Sequence, residues 1–386
     1  MYSIKAYFDK GNDKYLKIFG RHFCERNENS NIFFYYGGYE YNLGEFLNVQ
    51  NETNSIIEIK INTVNIINMS YMFDNCQNLL NIETVNLINL ENVTNLSYMF
   101  NNCKKLNSII GLRFWNINQV ENMEYMFNNC SEINTIIFGN FKNSKIKNLS
   151  HLFSGCCRLR YIKGLDNFDS KNISDINSMF SHCRSLKKIN ASLSFNTKNV
   201  FNMNSVFLNC SKLSHIPQNV EKWETQNVVD FSYMFSDCHR IKSLPDISKF
   251  NTKKAKNIEY MFHNCYQLRE LPNISVWNIE NVENMNNLFS GCFLIKSLPD
   301  ISIWKTTNVI KLGFMFSKCT SLEKISNIGN WEISKVTFFG GMFEECISLK
   351  ELPNIYKWKI LNPAQLESLF EGCKKELINL YKRQIK

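Results

Sequence analysis

The stretch Asn281-Val-Glu-Asn-Met-Asn-Asn-Leu-Phe-Ser-Gly-Cys-Phe-Leu-Ile-Lys-Ser-Leu-Pro299 decides the fold. Its apolar residues Met285, Leu288, Phe289 and Cys292 fall at i, i+3, i+4 and i+7, which predicts one face of a short helix. Asn284 stands just before that face, where a short polar side chain can cap free backbone N–H groups. Ile295 and Leu298 then frame two polar residues, and Pro299 follows. That reads as a short strand whose pairing the proline ends. A helix of about two turns cannot bury itself alone. The segment therefore needs neighbours built like itself.

The chain supplies them. The pattern Tyr-Met-Phe-x-x-Cys, with variants, recurs with its Phe at 73, 100, 127, 153, 180, 207, 235, 262, 289, 316, 343 and 370. The step is 27 residues, with one step of 26 and one of 28. A cysteine follows each Phe by three, and only Cys24 and Cys157 of the 14 cysteines stand outside this column. All 6 Trp share a second column: Trp115, Trp223, Trp277, Trp304, Trp331 and Trp358. Phe168, Phe195 and Phe250 fill it in other copies, and Pro217, Pro245, Pro272, Pro299 and Pro353 form a third. The cap position is Asn or Asp in each copy from Asn68 to Asn284. A period of this length means stacked coils whose apolar columns join into one core. The expected fold is an α/β solenoid, a leucine-rich-repeat-like right-handed superhelix of twelve 27-residue coils, each with one short helix and one short strand.

The ends depart from the repeat. Residues 1–61 read as a small β-rich N-terminal capping module, with a hairpin around Gly37-Gly38 and a strand at Ile56–Ile61. The solenoid is expected over 62–362. Residues 363–386 read as a C-terminal capping helix, entered at Pro363, with the stripe Leu366, Leu369, Phe370, Cys373, Leu377 and Leu380 and a basic tail.

The string from Trp223 to Pro245, and again from Trp277 to Pro299, follows Trp-Asn/Asp-x-x-Asn-Val-x-Asn-Met-Ser-x-Met-Phe-x-x-Cys-x-x-Leu-x-x-Leu-Pro. It resembles the BspA-type leucine-rich-repeat family, including the mycoplasma-type surface repeat domain of unknown function. The resemblance covers roughly residues 62–373. It implies a repeat solenoid. Because the family includes exported surface proteins and adhesins, it also implies a cell-surface adhesin as the alternative function.

Little in the sequence points to catalysis. Cysteine comes once per coil on an apolar face, which is the pattern of a small buried hydrophobe and not of clustered metal ligands. Cys157 falls on the variable side beside Arg158. The histidines, His22, His151, His182, His215, His239 and His263, share no column and form no His-x-x-x-His pair. No phosphate-cradling glycine loop or Gly-x-Ser-x-Gly elbow occurs. No enzyme activity, cofactor or metal is expected.

The variable positions carry charge. The two residues after each Cys, and the two inside Leu-x-x-Leu, should face solvent. They hold Lys or Arg far more often than Asp or Glu, in a chain of net charge +9. The cations concentrate at Arg158, Arg160, Arg184, Lys187, Lys188, Lys212, Arg240 and Lys242. These are the candidate partner-binding residues of a non-catalytic interaction scaffold. The expected partner is an acidic protein, with an anionic lipid or nucleic acid as other outlets for the same charge.

No apolar run reaches the ~18–20 residues of a membrane span. The start, Met1 to Lys10, has no apolar leader core. Asn-x-Ser sequons at Asn68, Asn95 and Asn148 fall on the cap column, where glycans would disturb packing. These features give a cytoplasmic setting as the expectation, with the cell surface as the alternative.

Overall fold

The apolar period of the Tyr-Met-Phe-x-x-Cys segment is met without an α-helix. The structure is a computed structural model that describes residues 3–28, 30–63, 66–85, 90–139, 141, 145–189, 193, 195–351, 353–358 and 368–384. In the first coil, backbone donors alternate between two kinds of partner. Met72, Asp74 and Cys76 donate back three residues, to the carbonyls of Met69, Tyr71 and Phe73. Met69, Tyr71, Phe73 and Asn75 donate forward, to Asn95, Ser97, Met99 and Asn101 of the next coil, at 2.8–3.1 Å. Tyr71 (φ 62°) and Asn75 (φ 59°) lie in the left-handed region, as do their equivalents Tyr98, Asn102, Tyr125 and Asn129. The result is a ribbon of consecutive tight turns in place of the expected helix. Every backbone donor in the ribbon is satisfied, half of them by the neighbouring coil.

A left-handed residue with a side chain costs roughly 1–2 kcal/mol. Asn tolerates the region because its amide bonds locally. Tyr does not, and its strain is offset by stacking. The rings of Tyr71 and Tyr98, and of Tyr98 and Tyr125, lie 4.6 Å apart and nearly parallel.

The chain divides into two compact units, Met1–Phe195 and Asn196–Lys386. The first contains β1 (Ser3–Asp9), β2 (Tyr15–Lys17), α1 (Arg21–Arg26), β3 (Phe33–Tyr36), β4 (Tyr39–Asn42), β5 (Phe46–Asn48) and β6 (Ile56–Asn62). The strands that follow Cys76, Cys103, Cys130 and Cys156 are β7 (Leu79–Val85), β8 (Ser108–Ile110), β9 (Thr135–Ile137) and β10 (Tyr161–Lys163). β7 runs parallel to β8 and β9 parallel to β10, as stacked coils require. Hairpin β3–β4 turns through Gly37 (φ 57°) and Gly38 (φ 86°), the left-handed pair a two-residue turn needs. β1 lies antiparallel between β6 and β7, with Ala6 opposite both Ile59 and Ile82. It thereby covers the edge that β7 would otherwise expose.

In the second unit the expected strand is absent among the described residues. The chain there makes a 3-10 turn before each aromatic, at Ile247–Lys249, Ile274–Val276, Ile301–Ile303, Ile328–Asn330 and Ile355–Lys357. Pro245, Pro272, Pro299 and Pro353 precede four of these turns and have no N–H to give a ladder. Single backbone bonds join the coils instead, such as Glu323 N–H to the Lys296 carbonyl at 3.0 Å. The long step in the repeat is absorbed in the same place. Gln218–Lys222 forms a five-residue 3-10 turn where other coils use three.

Each unit is a solenoid around a stack of phenylalanines. Phe73 and Phe100 are 5.6 Å apart, and Phe262 and Phe289 are 5.6 Å apart with nearly parallel rings. All four are fully buried with the Met, Leu and Cys columns. At the C-terminus, helix α2 spans Lys375–Gln384 and carries Leu377 and Leu380 of the expected stripe. Leu369, Phe370 and Cys373 belong to the last turn ribbon, closed by Gly372 at φ 73°. Pro363 and Leu366 lie outside the described residues.

Candidate functional site

The repeated polar atoms are consumed by the fold. Beyond Cys76 of the first coil, column cysteines donate their S–H to the carbonyl of the column Phe in the preceding coil, as Cys103 does to Phe73 at 3.0 Å and Cys265 to Phe235 at 3.2 Å. Burial holds these thiols protonated. It pushes Cys103 and Cys292 well above the ordinary range and Cys319 to about 12. From Trp277 on, tryptophan uses the same device, whereas the buried Trp115 Nε1 has no partner among the described residues. The indole N–H of Trp277 reaches the Ile247 carbonyl at 3.0 Å, and that of Trp331 reaches Ile301 at 3.0 Å. The cap column does its expected work on a turn. Asn148 Oδ1 accepts the Ser150 N–H at 2.8 Å, and Asn95 accepts that of Ser97 at 2.8 Å. Amide ladders join successive coils, such as Asn129 to Asn102 (2.9 Å) and Asn102 to Asn75 (3.0 Å).

The histidines remain scattered. His151 ends the tyrosine stack, 4.2 Å from Tyr125, and burial lowers its pKa. His263 is lowered by burial as well. His239 lies 3.6 Å from Asp237 and stacks on Tyr266 at 4.4 Å. Among the described residues no group of three His, Cys, Asp or Glu is placed to hold a metal ion. Cys157 is half-buried and unpaired.

The windows after each Cys alternate as their sequence requires. Leu159, Ile162, Leu186, Ile189, Leu213 and Ile241 are buried, which turns the residues between them outward. In the first unit Arg158, Arg160, Arg184, Lys187 and Lys188 are exposed, and in the second Lys212, Arg240 and Lys242 are exposed. Their backbone is fixed by inter-coil bonds, including Arg160 N–H to Asn134 at 2.9 Å and Ser185 N–H to Cys157 at 3.1 Å.

Several cations of these windows are already neutralised. Arg158 pairs with Glu132 one coil back, Lys350 with Glu323, and Lys105 with Asp9 of β1 at 2.7 Å. The Lys105 ammonium holds the Asp9 carboxyl below its usual range. Arg160, Arg184, Lys188, Lys212, Arg240 and Lys242 have no ion-pair partner among the described residues. Arg158 and Arg160 line an open depression of ≈ 530 Å³ with Glu132, Asn134 and Thr135. No pairing between windows 26 residues apart could be read from the sequence without the coil register.

The family described as "Mycoplasma protein of unknown function, DUF285" matches four overlapping stretches, residues 43–160, 127–217, 186–297 and 267–382. No curated protein matches the chain. Among solved structures, a leucine rich cell surface protein of Faecalibacterium prausnitzii is 17% identical, with 78% of each chain covered and a TM-score of 0.41. A leucine-rich repeat protein of Eubacterium ventriosum is also 17% identical, covering 73% of this chain and 80% of its own, with a TM-score of 0.36. One from Bacteroides ovatus has the same identity and coverage, with a TM-score of 0.34. The cytoplasmic setting expected from the sequence is corrected by these comparisons, in which the protein named for its location is a cell surface protein. With its repeats matched from residue 43 to residue 382, the chain belongs to the DUF285 family of mycoplasma proteins.

Proposed function

We propose that the protein is a non-catalytic repeat scaffold displayed at the cell surface, where it binds an acidic protein. The single observation that carries this reading is the set of exposed cations held on fixed backbone after each Cys. Residues Arg160, Arg184, Lys187 and Lys188 supply it in the first unit, beside Arg158, which is paired with Glu132, and Lys212, Arg240 and Lys242 supply it in the second. Successive coils lie about 4.8 Å apart where their strands pair. At that spacing like charges repel, and an anionic partner relieves the repulsion. Screening beyond about 8 Å at physiological ionic strength makes such binding sensitive to salt.

The test has two arms. External protease on intact source cells should degrade the protein, and a protected protein would sink the surface location. Reversing Arg184, Lys187 and Lys188 to Glu should change stability by about ±0.5 kcal/mol, since all three are exposed. The wild-type chain should retain acidic surface proteins in low salt, and the triple variant should lose at least tenfold of that retention. Equal retention by both chains would remove the basic windows from the reading. Retention of anionic vesicles or DNA in place of protein would replace the partner class.

A further inference from the structure

A second depression, of ≈ 420 Å³, opens in the β-rich start of the chain, within residues 34–52. It sets aromatic side chains beside amides and one carboxylate: Tyr36, Tyr41 and Phe46 with Asn42, Asn51 and Glu52. Phe46 is 56% exposed and Tyr41 is 38% exposed, whereas the column phenylalanines from Phe73 to Phe370 are buried; single exposed rings such as Phe114 and Phe201 occur elsewhere, but here they line a depression together. Burying such a ring is worth about 1.5–3 kcal/mol, so leaving these out of the core forgoes stability.

The rings are also held in place. Tyr41 rests on the buried Phe34, 5.3 Å between centroids and 18° between planes. Tyr36 stands 6.3 Å from Tyr41 and tilted by 51°, so two aromatic planes form a corner. Desolvation, together with the Glu52 carboxylate, raises the Tyr36 pKa, which keeps the hydroxyl protonated. Hairpin β3–β4 and strand β5 carry all three rings, so the site is built on paired backbone.

The chemistry of this lining selects a ligand class. A pyranose ring presents a face of C–H groups and a rim of adjacent hydroxyls. The C–H face carries partial positive charge and complements the negative face of an aromatic ring. Amides and carboxylates are planar groups that can bond two neighbouring hydroxyls. The volume falls in the range of small-ligand sites, about 300–1,000 Å³. No Lys or Arg lines the depression and Glu52 does, which disfavours sialylated or sulfated sugars. A proline-rich peptide would need an aromatic groove with little polar lining, and four of the lining residues here are Asn or Glu. We propose that this depression binds a neutral glycan, independently of the basic windows.

The experiment uses the full chain on an array of neutral, sialylated and sulfated glycans, followed by solution titration with a bound neutral oligosaccharide. Phe46→Ala and Asn51→Ala change exposed residues and should leave the melting temperature unchanged. Each should weaken the neutral glycan at least tenfold, and Tyr41→Ala should weaken it further. Three results would overturn the proposal: no neutral glycan bound above the level of the Phe46→Ala/Asn51→Ala double variant, binding that these variants leave intact, or displacement of the site's ligand by a polyproline peptide. Binding of sulfated or sialylated glycans alone would overturn it too, since that charge is met by the basic windows.

Discussion

Cysteine at the column position combines two properties that no other small residue has together. It is apolar enough to be buried, and its S–H reaches a carbonyl in the coil before. Phe235 O illustrates the point, accepting both the Cys238 N–H at 3.2 Å and the Cys265 Sγ at 3.2 Å. Alanine removes the donor and leaves a gap, whereas valine fills the gap without a donor. Cys265→Ala is expected to cost about 1–3 kcal/mol and Cys265→Val at least about 1 kcal/mol, in urea denaturation. A valine variant as stable as the parent would show that only volume matters. The burial of this column was legible in the sequence from its period. The hydrogen bond was not, because its acceptor lies 30 residues away. The one available signal was the persistence of Cys where Ala or Val would fit a purely apolar site.

At the level of the coil, the period i, i+3, i+4, i+7 in Met285, Leu288, Phe289 and Cys292 fits a helix and a ribbon of turns equally well. Both return to the same face about every four residues. What separates them is where the N–H groups go. Asn287 donates to Gly313 and Phe289 to Met315 in the next coil, and no local pattern announces that. Glycine gives a partial hint. Gly291 has φ 75°, and a Cβ added there would collide with Asn264 Oδ1, the amide that donates to Asp237 in the ladder below. Gly291→Ala should therefore cost more than the roughly 1–2 kcal/mol of left-handed strain alone, read as a loss of thermal stability. A neutral substitution would mean that the ribbon is slack at this point. The outward face of the windows was legible, since Leu159 and Ile162 fix Arg160 between them. Which cations are neutralised was not, because Arg158 meets Glu132 only through the register of adjacent coils.

For the whole molecule, the cysteine columns set the response to pH. An unfolded thiol titrates near about 8.5. In the folded protein, burial raises Cys103, Cys130, Cys156, Cys238, Cys265, Cys292 and Cys346 far above that. Above pH ~8.5 the unfolded chain therefore releases protons that the native chain keeps, and stability falls as pH rises. The contribution is fully present below pH ~8.5. Each thiol can remove up to about 1.4 kcal/mol per pH unit, and the columns act together. The melting temperature should be level between pH 7 and 8 and fall by more than about 10 °C by pH 10. A level profile through pH 10 would contradict buried thiols.

The alternating donors of the turn ribbon also give the chain an order of assembly. Tyr98 N–H waits for the Glu124 carbonyl, which has not yet been made when Tyr98 leaves the ribosome. Cys130 S–H, by contrast, finds the Phe100 carbonyl already in place. Each newly synthesised coil thus completes the one before it and is itself left incomplete. Most partners lie about one coil apart in sequence, so little loop-closure entropy delays the step. The long exception is at the start, where β1 must wait for β7. Nascent chains stopped after successive column cysteines should resist protease up to the penultimate coil, with the last coil digested. The ribosome would then release a protein that is already folded except for its final turn.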